Sequence, residues 1–369
     1  MKIACFQYQD QISIGQVSAN GQEMTPFILS ADQQALVATQ GVQLIVELQS
    51  QGLPLPAQAK PIAMKDICLL APIPRPRRNV FCVGKNYLDH VKEVQASKLG
   101  EAQGAMANLP KHPVVFSKVP ESVIGPQAGI QNHGGVTQEL DYEAELAIVI
   151  GRQGRAIQAS DALDYVWGYT IINDISARDL QAKHVQFHIG KSLDTACPMG
   201  PYLVSKDELN AQKTQVKCWV NDELRQDAST ELMIFDIPTI IANLSAGMTL
   251  YPGDVIATGT PVGVGIGYRS SDLFRFDLTS EYRSRANIRT TPVYACGAST
   301  CSDPLTSDLR SLVTMLNGYF EIGSWHEVTP YVGMGLGLAH HRFGPVSIPA
   351  SGPANPSIAS CLTGTPMAS

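Results

Sequence analysis

No apolar run in the chain approaches the roughly 20 residues that a membrane-crossing helix needs, which excludes a helical membrane protein. Runs of lysine and arginine are missing too. With a net charge of −6 and a pI near 5.8, nothing could track a phosphate backbone, so nucleic acid is not an expected partner. The stretch MKIACFQYQDQISIG lacks the continuous apolar core of a signal peptide, and a cytoplasmic protein is expected. Cys5, Cys68, Cys82, Cys197 and Cys218 show no metal-ligand spacing and read as reduced, packed small hydrophobes. What is present is a globular composition, 44% hydrophobic and 16% charged, over 369 residues, too many for one ordinary domain.

Residues 139–178 hold the most informative pattern. Glu143 and Glu145 stand two apart, just ahead of the apolar run Leu-Ala-Ile-Val-Ile at 146–150. In a strand, residues i and i+2 point to the same side, so both carboxylates face one space. Asp174 follows a second β-rich run, 169–173, and can bring a third carboxylate there. Like charges so close are costly without a cation between them, and three oxygen ligands suit Mg²⁺ or Mn²⁺, with Ca²⁺ a further option. A bare Glu-x-Glu is otherwise an exposed acidic edge.

Along the chain, residues 1–17 alternate as a short hairpin. Ser30-Ala-Asp-Gln33 resembles a capping box opening a helix from Asp32 to about Gln49, interrupted at Gly41. Proline clusters at 54–56 and 72–76 close a small α+β module over residues 1–70. Residues 79–84 read as a strand and 85–94 as a helix, which places His90 and Glu93 as neighbours on one face. A carboxylate beside an imidazole raises its basicity, as a general base for water requires. Lys118 ends another strand and could reach a site, but a lysine leaving a strand is more often solvated, and it is read that way. Asp174, Arg178 and Gln181 follow at one-turn intervals on a helical face, where Arg178 can hold a carboxylate and Gln181 can donate to a keto oxygen. His184 and His188 are four apart but lack a supporting glutamate, so zinc is not inferred. Lys191 can stabilise developing negative charge. Residues 215–221 and 223–226 form strands about Asn221-Asp222, 236–244 a helix, and 250–258 a strand containing Pro252-Gly-Asp254. The loop 258–263 lacks the lysine and helix of a nucleotide loop, but its amides and the Thr260 hydroxyl fit a carboxylate-binding nest.

VGKNYLDHVKE, DYEAELAIVIG, GYTIINDISARDLQ, GKSLDTACPMGP and PGDVIATGTPVGVG, in this order, resemble the fumarylacetoacetate hydrolase family over residues 77–267. The resemblance implies an α+β fold, a β-rich mixed-sheet roll, assembled as a homodimer. It implies Glu143, Glu145 and Asp174 as metal ligands, the His90–Glu93 dyad as water activator and Lys191 as oxyanion stabiliser. Arg178, Gln181, Gly259 and Thr260 would bind a small keto-acid substrate. The expected activity is metal-dependent hydrolysis of a carbon–carbon bond in an acylpyruvate- or fumarylpyruvate-type diketo acid. The same enolate chemistry also serves decarboxylases, hydratases and isomerases.

After Gly267 these motifs stop. Phe274, Phe276, Leu278 and Tyr282 alternate with Arg275, Asp277, Thr279, Glu281 and Arg283, and residues 311–322 and 328–340 continue in that style. Val332, Met334, Leu336 and Leu338 are separated by glycines, and a polar insert carries Cys296 and Cys301. This pattern resembles a fragment of a bacterial outer-membrane β-barrel over residues 268–340, so the chain reads as chimeric, with a disordered tail from about 346. Three or four strands cannot close a barrel, which takes at least eight. Membrane contact is expected only if this segment is such a fragment. Substitute strands for the hydrolase sheet, a non-enzymatic barrel protein and a catalytically dead binding module are the alternative readings.

Overall fold

A computed structural model describes residues 1–87, 110–260, 264–269, 274–290, 293–296, 299–302, 305–321 and 331–343; from 264 onward it gives the backbone and the side chain of Leu336. The chain divides into two compact units, Met1–Gly263 and Val264–Ser369.

The first unit is built on one 12-stranded mixed sheet. Its N-terminal part supplies β1 (Lys2–Tyr8), β2 (Gln11–Val17), β3 (Glu23–Pro26), β4 (Ile62–Ala63) and β5 (Cys68–Leu70). Then come β6 (Val80–Gly84), β7 (Val114–Lys118), β8 (Val123–Ile124), the short β9 (Leu140–Asp141), β10 (Ala144–Ile150), β11 (Val166–Asn173), β12 (Ser176–Ala177) and β13 (Cys197–Ser205). The hairpin β14 (Gln215–Val220) and β15 (Glu223–Ser229) stands apart from the sheet, and β16 (Val255–Ala257) returns to it. The order β4-β3-β2-β1-β13-β11-β10-β16-β6-β7 is antiparallel along its main path except where β16 pairs with β6. It matches the β-rich α+β roll, and the first 70 residues join it through the pairing of β1 with β13.

β10 is buried along its whole length because it lies between β11 and β16 with a core on each face. Its period-2 alternation sorts its side chains: Ala147 and Val149 into one core, Leu146, Ile148 and Ile150 into the other. The first core is covered by α1 (Ala31–Gln40) and α2 (Gln43–Ser50). Ser30 caps α1 in a full capping box with Gln33, and the expected break falls at Gly41. The second core is covered by the last helix of this unit, Ile237–Ser245, whose Ile237, Ile240, Ile241 and Leu244 repeat at i, i+3, i+4 and i+7. Burying each is worth roughly 1.5–3 kcal/mol. Asp236 caps this helix by accepting from the Thr239 amide at 2.9 Å.

Asn221 and Asp222 turn the β14–β15 hairpin with positive φ at both positions, 50° and 64°, as a two-residue turn of this hand requires. The strand expected around 250–258 is only three residues long, because Pro252-Gly-Asp254 is held out of the ladder by the Asp254 carboxylate, which accepts from the Tyr251 amide at 2.7 Å.

The second unit is a four-stranded antiparallel sheet in sequence order: β17 (Val264–Arg269), β18 (Phe274–Thr290), β21 (Leu305–Glu321) and β22 (Tyr331–Phe343). A small hairpin, β19 (Val293–Cys296) with β20 (Ser299–Ser302), occupies the polar insert. The alternating run from 268 to 283 is shared between two strands, with β18 pairing antiparallel to β17 from Val264 with Ser280 to Arg269 with Arg275.

Candidate metal centre

Three carboxylates converge where β10 begins and β11 ends. Glu143 precedes β10, Glu145 lies in it, and Asp174 follows β11, its amide donating to the Glu143 carbonyl at 2.7 Å. One oxygen from each lies within 4.8 Å of the others, and all three residues are buried. The same-side placement expected from the two-residue spacing is found. Asp174, by contrast, is not on a helical face with Arg178 and Gln181. Residues 176–177 pair with β9 and keep the backbone extended, and α3 (Arg178–His184) starts only at Arg178. Arg178 and Gln181 still reach the cluster, because Arg178 Nη1 donates to Gln181 Oε1 at 3.1 Å and Nη2 to the Glu143 carboxylate.

Cations surround the cluster. Lys191, in α4 (His188–Lys191), donates to Glu143 Oε2 at 2.5 Å and Asp174 Oδ2 at 2.8 Å. Its ammonium also lies 4.9 Å from the Phe116 ring centre. Arg178 binds Asp141 Oδ2 through Nε and Nη2 at 3.0 and 2.8 Å. Burial works against the charge on Lys191, but Asp174 and Glu143 outweigh it and hold the amine protonated. Glu143 and Asp141 do the same for Arg178. Glu145 has no ion pair among the described residues; its Oε2 accepts from the Gly259 amide at 2.8 Å. Burial first, then Asp174 and Glu143, push its carboxyl well above the usual carboxylate range.

Gly259 and Thr260, expected as a nest for a substrate carboxylate, bind groups of the protein here. Gly259 serves Glu145, and the Thr260 hydroxyl donates to the Ala144 carbonyl at 3.2 Å. Gly259 has φ +99°, and a Cβ there would stand 2.7 Å from Cβ of Asn86, so only glycine fits. A pocket at this place is lined by Lys85, Phe116, Glu145, Gln181, Lys191 and Thr260 among others. His90 and Glu93 lie outside the described residues.

Three residues were misread or passed over. Lys118, taken as solvated, is fully buried and donates to Asp174 Oδ1 at 2.7 Å and to the Ile175 carbonyl at 3.0 Å. The available signal was its i+2 spacing from Phe116, which puts the two on one face of β7. Asn86, also fully buried, clamps two loops: Nδ2 donates to the carbonyls of Thr258 and Phe235 at 2.7 and 3.0 Å, and Oδ1 accepts from the Phe235 amide at 2.8 Å. Gln226 accepts from the Ala144 amide at 2.9 Å, bracing the first turn of β10 from the β14–β15 hairpin. His184 and His188 are exposed and stand outside the carboxylate cluster, and Cys197 is buried with its thiol pushed up to about 12 by desolvation.

The family model for the C-terminal region of fumarylacetoacetate (FAA) hydrolase matches residues 79–294. The chain belongs to the fumarylacetoacetate hydrolase family. That match runs past Gly267, so family similarity does not end where the quoted motifs end. The oxaloacetate tautomerase YisK of Bacillus subtilis is 50% identical over 214 residues, 58% of this chain and 68% of that protein. A fumarylacetoacetate hydrolase from Exiguobacterium antarcticum is 40% identical with a TM-score of 0.59, covering 76% of this chain and 94% of its own. The maleylpyruvate hydrolase of Sphingobium sp. SYK-6, solved with manganese(II) and pyruvate, is 28% identical with a TM-score of 0.53 over the same shares.

The donor set fits the divalent ion that the family implies. All three ligands are carboxylates, they converge within one ion's reach, and Glu145 is fully buried beside two like charges with only an amide for a partner. The Tyr87 hydroxyl, buried, within electrostatic reach of Glu145 and without a hydrogen-bond partner, adds a polar group that a water at such a centre would satisfy.

Proposed function

We propose that this protein catalyses enolisation of a small 2-oxo acid, with oxaloacetate as the first substrate to try. The observation that carries the reading is Glu145, buried among carboxylates and with no ion pair of its own among the described residues. The likeness to a tautomerase over 214 residues supports the reaction type. Glu143, Glu145 and Asp174 would hold Mg²⁺ or Mn²⁺, which supplies Lewis acidity that makes an enolate oxygen less costly.

The chain's own groups do the rest. Arg178 takes the Oε1 end of Gln181, so the amide nitrogen is the end that can donate to a substrate oxygen. Lys191 has two of its donor directions on Glu143 and Asp174, and a third can meet the oxygen that gains charge. Arg178 remains the proposed anchor for the substrate carboxylate, with Gly259 and Thr260 closing the loop beside it. His90, paired with Glu93, is the proposed group that removes and returns the α-carbon proton.

A second reading is cleavage of a carbon–carbon bond in an acylpyruvate, in which the same dyad would deprotonate water. The His90-x-x-Glu93 motif favours it. Residues 268–345 are proposed to stand outside the chemistry, and assembly as a homodimer belongs to the same reading.

The test follows decay of enol-oxaloacetate absorbance and loss of acylpyruvate absorbance on the full chain with Mn²⁺, before and after EDTA. Faster enol–keto conversion that EDTA stops is the expected result. Acylpyruvate cleavage without accelerated tautomerisation would replace the first reading by the second. Turnover that survives complete metal removal would overturn both.

A further inference from the structure

Each of the three carboxylates has at least one oxygen engaged by a donor of the protein, and Lys191 also donates to the second oxygens of Glu143 and Asp174. Asp174 Oδ1 accepts from Lys118, Glu145 Oε2 from the Gly259 amide, and Glu143 Oε1 from Arg178. We propose that Lys118 is a positioning residue that restricts Asp174 to one metal-facing oxygen and thereby selects Mg²⁺ or Mn²⁺ over Ca²⁺; the inference rests on the reading of this cluster as a metal centre.

Ca²⁺ takes six to eight oxygens in flexible geometry and readily accepts both oxygens of a carboxylate, whereas Mg²⁺ demands six in a near-octahedral set. A carboxylate with one oxygen tied down offers the second arrangement and refuses the first. Lys118 ties Asp174 firmly. Both side chains are completely inaccessible to solvent, the ammonium is 2.7 Å from Oδ1, and a second bond to the Ile175 carbonyl at 3.0 Å fixes where the nitrogen sits. On the other side, Lys191 reaches Oδ2 at 2.8 Å. The carboxylate is therefore oriented from both ends and cannot rotate without breaking an ion pair inside the protein. A buried lysine is costly unless it is paired, so one spent on a single carboxylate oxygen calls for a reason beyond stability. Selectivity supplies it, because Asp174 then has at most one oxygen to offer an ion, an arrangement poor for Ca²⁺.

The experiment measures Mn²⁺ and Ca²⁺ dissociation constants by calorimetric competition on the EDTA-stripped full chain, for the native protein, Lys118→Met and Lys118→Gln. Circular dichroism and melting check that each variant folds. The native protein should prefer Mn²⁺ by at least about a hundredfold, and the preference should shrink at least about tenfold in both variants, with Ca²⁺ affinity held or raised. General loosening would weaken both ions together and leave their ratio alone. An unchanged ratio in a folded variant overturns the proposal. So does native binding of Ca²⁺ as tightly as Mn²⁺, a result that needs no variant. No divalent binding by the native chain would instead overturn the metal reading itself, and the selectivity with it.

Discussion

The two units use antiparallel strands in opposite ways. In Val264–Ser369 the long strands run 17, 17 and 13 residues, and their register with each other slips at one place, between Arg283 and Ala286. In Met1–Gly263 the strands around the carboxylates run five, seven, eight and three residues, and β11 slips against both of its neighbours. Glu143, Glu145, Asp174, Lys118 and Gly259 lie at or just beyond the end of a strand in this second kind of sheet, and Arg178, Gln181 and Lys191 reach them from short helices. A long unbroken ladder satisfies its backbone groups and repeats its side chains, and it leaves no place where unlike groups converge. Short strands that stop at Gly84, Asn173 and Ala257, and one that begins at Ala144, have those ends on the same side of the sheet, and chemistry gathers there.

Four experiments sharpen or break this contrast. The largest effect is expected from Glu145→Ala or Asp174→Ala, which should abolish Mn²⁺ binding in calorimetry and lower turnover by at least ~10³-fold. Retained activity in metal-stripped variant protein would dissolve the claim that strand ends build a metal centre. Next, Lys191→Met should cut kcat by about 10²–10³-fold while Mn²⁺ still binds, separating charge stabilisation from metal capture. Third, Asn86→Ala removes three hydrogen bonds that join the loops at 234–235 and 258–260, at a cost of about 1–3 kcal/mol in denaturant unfolding. An unshifted unfolding midpoint would show that those loop ends are held by something else. The smallest effect is expected from a chain ending at Gly263, which should bind Mn²⁺ and turn over as the full chain does. Loss of both functions would make the long-stranded unit part of the enzyme.

What could be read from residues alone follows from how local each signal is. Glu143 and Glu145 are two apart, and strand periodicity alone puts them together. The Ser30–Gln33 capping box, the break at Gly41 and the Asn221-Asp222 turn are also decided within a few residues. The family motifs carried Lys191 and Gly259 into the site because they span its separate segments. Lys118 failed the local test: its partner is 56 residues away, and a lysine at a strand end is ordinarily wet. Asn86 meets Thr258 across 172 positions, and no spacing rule reaches that far. The helical face drawn through Asp174, Arg178 and Gln181 failed for another reason. A pairing with β9 overrode the local period and kept the chain extended until Arg178.

The bond from Lys118 to Asp174 joins the edge strand β7 to the end of β11, which lies four places away in the sheet order. Laid flat, those strands would be roughly 19 Å apart, farther than a lysine can reach, so the sheet must curl before the bond exists. Completing the roll and completing the ion site are therefore one event. A half-curled chain emerging from synthesis has two of the three carboxylates two residues apart at one strand end, yet the third is not set until the edge strand closes over it. Such a protein acquires its appetite for metal only as it finishes folding, and a simple titration of that appetite counts the molecules that have closed.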